Sequence, residues 1–407
     1  MPKPALILAV LLLTGAAEIA RAQPVDVTTL AAPDAFSTPG RDTGLPATLW
    51  RGASVVTAKT VLPLLASKPL TPAGRQLARR VLATGASGPE GAGTDPALMA
   101  ARASALSAVG DPQAAATLLA RAPGLDRSPD LARAAAELAL LAGYDARACA
   151  VAEDLSSGRD ETYWLRLRAY CQAVGGKTAQ AQLTFELAQA QARDPIYGRL
   201  MAAKLAGAGD PGPASLRNGL DFALSRSLGL DLAAAKPAPA VAAALAGGAP
   251  QPLAFDQATF PPDTAIQGMA MALRLGDKAG GETMAQLLAG LVEMAGSADP
   301  KTAARGKAAS LMMLMLNAPF APAVRGSLPD LGVPQGKAPL VRDLALDDAA
   351  GQKAIGETAL LALWTSAEAG PAGPAMGDRI RIIRALHLVG LDADARAFAL
   401  EGLLALK

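Results

Sequence analysis

Few residues in this chain have types and spacings suited to chemistry. It holds one histidine, His387, and two cysteines, Cys149 and Cys171. That is too small a set for a zinc site of the usual His and Cys type, and a Ser-His-Asp enzyme would rest wholly on His387. His387 stands in Arg384-Ala-Leu-His-Leu-Val-Gly390, close to a helix end, where an imidazole interacts with the last free carbonyls. Neither cysteine has a histidine beside it or a Cys-x-x-Cys arrangement, so a catalytic thiol is not expected. The pairs Glu153-Asp154, Asp160-Glu161 and Asp347-Asp348 point in different directions on a helix. Glycosidase carboxylates instead converge from separate elements beside aromatic platforms that this chain scarcely has. Met269, Met271, Met284, Met294, Met312, Met313 and Met315 crowd one region, but Met312, Met313 and Met315 point around a helix and read as adaptable core packing. No Gly-x-Ser-x-Gly, phosphate-loop or dinucleotide fingerprint follows a credible strand. The expectation is a non-enzymatic chain with no catalytic residue, no cofactor and no metal.

The cysteines have a covalent use instead. Cys149 falls in a helical pattern from about Asp145 to Leu155, and Cys171 in another from about Glu161 to Val174, with a polar turn between them. If these helices fold back on each other, the two residues stand nearly opposite, and a disulfide is expected.

The elements that must position these residues are short helices. Thr71-Pro72, Asp95-Pro96, Asp111-Pro112, Ser128-Pro129, Asp194-Pro195 and Asp299-Pro300 each place a capping oxygen before a proline at the first helical position. Glycines close the helical runs at Val109-Gly110, Ala142-Gly143, Val174-Gly175 and Ala206-Gly207, at intervals of 33, 32 and 32 residues. An interval of this length is that of a helix hairpin in a repeat protein. Alanine takes nearly a quarter of all positions, which lets neighbouring helices approach closely. No stretch sustains strand-like alternation.

From about Asp95 to Gly207 the chain resembles a degenerate tetratricopeptide-type array. The resemblance rests on the near-34 period, the glycine after each first helix, and small residues in each second helix, as in Trp164-Leu165-x5-Cys171-x3-Gly175-x3-Ala179. It implies a right-handed superhelix whose concave face holds an extended peptide or a partner's helix. The expected fold is therefore all-α, an α-solenoid of antiparallel helix hairpins with a second helical region. The expected divisions are a signal peptide at 1–22, an extended arm with a short helix at 23–70 and the hairpin array at 71–235. A Pro/Gly/Ala-rich linker at 236–259 and a helical region at 260–407 follow, the latter with a Pro-rich loop near 317–340.

In such arrays the first helix of each hairpin lines the groove. Arg102, Arg133, Arg166, Arg168, Arg199 and Lys204 lie on those helices and few acids accompany them, chiefly Glu137. A positive groove suited to an acidic segment or a C-terminal carboxylate is expected. The chain as a whole has formal charge +2, which argues against nucleic acid as a partner. At the N-terminus Lys3, an apolar run from Ala5 to Leu13, and Ala20-Arg-Ala22 read as a secretory signal cut after Ala22. No later segment is long and apolar enough to span a membrane. The expected role is that of a periplasmic or secreted scaffold or adaptor whose partner is a protein of the cell envelope. A regulator of, or enzyme acting on, peptidoglycan or another envelope polymer is the alternative. Soluble lytic transglycosylases also join an export signal to an Ala-rich superhelix, but their Glu-Ser and Gly-Leu-Met-Gln motifs are not found here.

Overall fold

A computed structural model of the protein describes residues 34–120, 122–238, 241–242, 245–246, 264–276 and 281–406. The expected signal peptide with its cut after Ala22, the expected arm up to residue 33 and much of the expected 236–259 linker lie outside the described residues. The described regular elements are all helical, and the chain is all-α. The first ten helices are α1 (Val55–Ser67), α2 (Pro72–Ala83), α3 (Pro96–Ala108), α4 (Pro112–Leu119), α5 (Pro129–Leu141), α6 (Asp145–Asp154), α7 (Thr162–Val174), α8 (Thr178–Gln191), α9 (Pro195–Ala206) and α10 (Gly219–Ser227). After the linker come α11 (Thr264–Leu275), α12 (Gly281–Ala295), α13 (Pro300–Met315), the short α14 (Pro322–Arg325), α15 (Leu340–Gly351), α16 (Ile355–Ala369), α17 (Met376–Leu388) and α18 (Asp392–Leu404).

Cap chemistry explains where these helices begin. Thr71, Asp95, Asp111, Ser128, Asp194 and Asp299 each cap a helix with the following proline inside its first turn, as when Asp194 Oδ1 accepts from the Ile196 and Tyr197 N–H groups at 3.0 and 3.1 Å. The ends obey a second rule. The pairs α3–α4, α5–α6, α7–α8, α15–α16 and α17–α18 are each joined by the same tight turn, in which an N–H reaches back five residues to a helix carbonyl. The bonds run from Asp111 to Leu106, Tyr144 to Ala139, Lys177 to Gln172, Ala354 to Ala349 and Leu391 to Leu386, at 2.7–3.0 Å. The residue before each donor is left-handed: Gly110, Gly143, Gly176, Lys353 and Gly390. In α7 the turn therefore falls one residue later than the Val174-Gly175 reading, because Gly175 has φ −78° and Gly176 has φ +75°.

The Cys149–Cys171 disulfide forms between α6 and α7 with a Cα–Cα distance of 5.5 Å, and there are no free cysteines.

One hydrophobic cluster runs from Phe36 and Trp50 through the alanine-lined helix contacts to Leu403. It is continuous because the later helices pack on the first two: α1 lies against α3 and α16, and α2 against α16 and α18. Gly356 permits a close approach, since a Cβ there would stand 2.6 Å from the Trp50 ring and 2.8 Å from the Leu49 carbonyl. Carboxylates close this seam. Glu357 accepts from the Ser54 N–H at 2.8 Å and the Thr57 hydroxyl at 2.7 Å, and Glu401 accepts from the Ala73 N–H at 3.0 Å and pairs with Arg379 at 3.0 Å.

The seam also holds Asp394, which is fully buried and meets Arg80 at 2.7 Å. Burial pushes the Asp394 carboxyl up to about 6, against the opposing pull of Arg80. An acid raised in the folded state binds its proton more readily there than in the unfolded chain. Its contribution to stability is therefore present in full below the unfolded value near 4 and is lost as pH rises through about 6. Comparing urea unfolding of the wild type and Asp394→Asn from pH 4 to 7 should show the difference between them changing in that window. A difference constant with pH would refute the assignment.

Candidate functional site

The six cations expected to line a groove lie on the first helices of successive pairs, and the structure divides them. Arg102 is a correction: it is wholly buried rather than groove-lining. Its Nε donates to the Leu82 carbonyl at 2.9 Å, and its terminal nitrogens to the carbonyls of Ala35 at 3.0 Å and Thr84 at 2.7 Å. The Phe36 ring lies 5.4 Å below it, and burial pushes the guanidinium down to about 9. The physical reason is a planar fork of donors that satisfies three carbonyls where small side chains bring backbones close.

The next cations repeat one contact. Arg133 on α5 stacks over Tyr163 of α7 at 4.7 Å, and Arg166 on α7 stacks over Tyr197 of α9 at 5.3 Å. Arg166 also pairs with Asp194 at 3.3 Å and donates to the Ala192 carbonyl at 2.8 Å, while the Tyr197 hydroxyl returns a bond to the Arg166 carbonyl at 3.0 Å. Arg168 donates to the Arg159 carbonyl, and Arg199 to the carbonyls of Pro211 and Pro213. Only Arg133 and Lys204 of the six make no hydrogen bond or ion pair among the described residues.

Arg199, together with Asp194, Glu137 and Asp145, holds residues 211–226 of the same chain. Arg217 reaches both oxygens of Asp194, at 3.2 and 3.0 Å, and Asp221 at 2.6 Å. Burial works to raise the Asp194 carboxyl, but Arg217, the Tyr197 N–H and Arg166 together hold it below its usual value. The Gly219 N–H at the start of α10 donates to Glu137 Oε2 at 2.6 Å, and Arg226 pairs with Asp145 at 2.5 Å. Burial raises the Glu137 carboxyl, and the Gly219 N–H only partly opposes it. Thus α10 packs across α5 and α9, and most of the expected groove cations bind their own chain.

An open apolar surface lies at α8, and a second at Leu340, Val341 and Leu344 of α15. Only Ala181 and Ala188 of α8 are buried, whereas Leu183 and Leu187 are 71% and 56% exposed. Ala179, Leu183, Leu187 and Ala190 form a stripe at helical spacing. Beside it a groove of about 520 Å³ runs between α8 and α9, lined by Thr178, Ala179, Gln182, Phe185, Ala202, Leu205 and Ala206. This site was not among the sequence expectations. The signal was present in the 183/187 spacing, which lies off the 181/188 alanine face that packs inward.

The other candidates take structural parts. His387 Nδ1 meets Asp392 at 2.6 Å across the α17–α18 turn, and Met269, Met312 and Met313 are buried in the core. Asp347 pairs with Arg381 at 3.0 Å. Among the described residues no group of His, Cys, Asp and Glu is arranged to hold a metal, and no helix is long and apolar enough to cross a membrane. Comparison with protein-family models, with curated proteins and with solved structures gave no match for this chain.

Proposed function

We propose that this protein is an exported, non-enzymatic scaffold whose tetratricopeptide-like run of helix hairpins binds another protein of the cell envelope. The observation that carries the reading is the uncovered apolar stripe of α8 with its adjoining groove, since large side chains left bare on a helix at i and i+4 mark a protein contact. Three features support the repeat character: the turn that recurs in five helix pairs, the Arg-on-Tyr stack that recurs from α5 to α9, and the shared cap chemistry. The disulfide fits an oxidising compartment outside the cytoplasm.

Partner binding is assigned to the α8–α9 edge, because Arg102, Arg166, Arg168 and Arg199 already donate to carbonyls of their own chain. Affinity capture from envelope extracts should recover a discrete partner with the wild-type chain and lose it with Leu183→Asp/Leu187→Asp. Both sites are exposed, so unfolding free energy should stay within about 0.5 kcal/mol of wild type. Capture unchanged by the double variant would reject the edge as the contact. Release of soluble fragments from purified cell-wall sacculi by the protein alone would overturn the scaffold reading.

A further inference from the structure

We propose that the groove between α8 and α9 receives an amphipathic helix of the partner protein, with small and leucine side chains on its buried face and carboxylates near both of its ends. This rests on the scaffold reading above and specifies the occupant.

Continuity with the chain's own packing supports a helix. Each of α3, α5 and α7 is followed by a second helix that folds back on it, α4, α6 and α8, and each of these packs on the next first helix. At α9 the series stops. Gly207 turns left-handed at φ +63°, the chain leaves through Pro211 and Pro213, and α10 goes to α5 and α9 without lining the groove. The place next to α8 and α9 that a further second helix would take is left to another chain. Its walls have the chemistry that α8 meets on its own inner side: Ala181 and Ala188 let α8 seat closely, and Ala179, Ala202 and Ala206 offer the same close seat outward. With 14 residues, α8 presents about 21 Å of surface, enough for a partner helix of about four turns.

Charge selects which helix. Lys177 precedes α8 and Arg193 follows it; both are exposed and neither is in an ion pair among the described residues. On the face between them the one acid, Glu186, accepts a hydrogen bond from Gln182 at 2.7 Å. A second copy of the chain is disfavoured by the same charges. Antiparallel pairing of two α8 helices about a two-fold axis near Phe185 would set Lys177 of each copy opposite Arg193 of the other, placing like charges together at both ends. A helix with carboxylates at its ends meets both cations favourably.

Three synthetic peptides of about 17 residues test this with the full mature chain. One has an Ala/Leu stripe and Glu at both ends, the second has Lys in place of the Glu residues, and the third keeps the composition of the first with its stripe scrambled. Fluorescence anisotropy should show the Glu-ended peptide binding at least about tenfold more tightly than the other two, with its advantage over the Lys-ended peptide shrinking as salt rises. Ala179→Asp/Gln182→Asp, on the groove wall of α8, should abolish that binding, and Val341→Asp, on the separate exposed patch of α15, should leave it unchanged. Equal affinity for the Glu-ended and Lys-ended peptides, no binding of any peptide, or binding indifferent to the α8 variant would overturn the inference. So would sedimentation of the protein as a dimer that Leu183→Asp dissociates. Envelope capture that still requires Leu183, in the absence of peptide binding, would leave the scaffold reading standing and remove only the helical occupant.

Discussion

Replacing Arg102 by alanine should lower the unfolding free energy by about 3–5 kcal/mol, the largest single-residue loss expected in this protein. The guanidinium joins three segments that are distant in sequence: α3, which carries it, the end of α2 through Leu82 and Thr84, and the N-terminal arm through Ala35. Truncation strands three buried carbonyls, each of which costs about 1–3 kcal/mol when left unmade, and opens a void beside Phe36. Relaxation and entering water return part of that sum. Arg102→Lys keeps the charge but not the planar fork, so it should recover less than half of the loss. Urea unfolding at pH 7 measures both; a loss under about 1 kcal/mol for Arg102→Ala would show that the bonds do not hold the arm.

The second large effect is covalent. The Cys149–Cys171 bridge spans 22 residues of sequence, and closing a loop of that size in the unfolded chain is worth about 3 kcal/mol in the chain-entropy view. Cys149→Ala, or reduction of the wild type, should cost about 2–4 kcal/mol. Amide exchange should quicken most in α6 and α7, the two helices the bridge ties, and less in α15 to α18, which lack it. Equal stability of the oxidised and reduced protein would contradict this.

Features written in adjacent residues were legible in the sequence. A capping oxygen followed by proline is a local signal, and it located the starts of α2, α3, α4, α5, α9 and α13. The disulfide was legible because two periodic segments and one polar turn fix its geometry. Where the local signal is absent the reading failed. Helix α15 begins after Pro339 with no side-chain cap, and its left-handed turn residue is Lys353 rather than glycine, so neither of its ends carries the local signal. Helix α10 is short and buries Asp221 and Ser225, which breaks its apolar pattern.

Arg102 departs from its expected place for a different reason. Arg102 lies four residues from both Leu98 and Leu106, on the buried stripe of α3, and its spacing marks it as interior even though its type suggests a surface cation. That Arg166 and Arg199 bind residues 192–213 depends on the path of the chain after α9, and helical periodicity carries no information about that path.

The central claim, that the α8–α9 edge is where this protein meets its partner, is tested most directly by photo-cross-linking within the producing cell. A photoreactive residue in place of Leu183 should form an adduct with one discrete envelope protein, and Leu187→Asp in the same chain should abolish it. The same probe in place of Arg133, on the face from which α10 is held, should form none. An adduct from position 133 with none from position 183 would contradict the account and return the partner to the positive face.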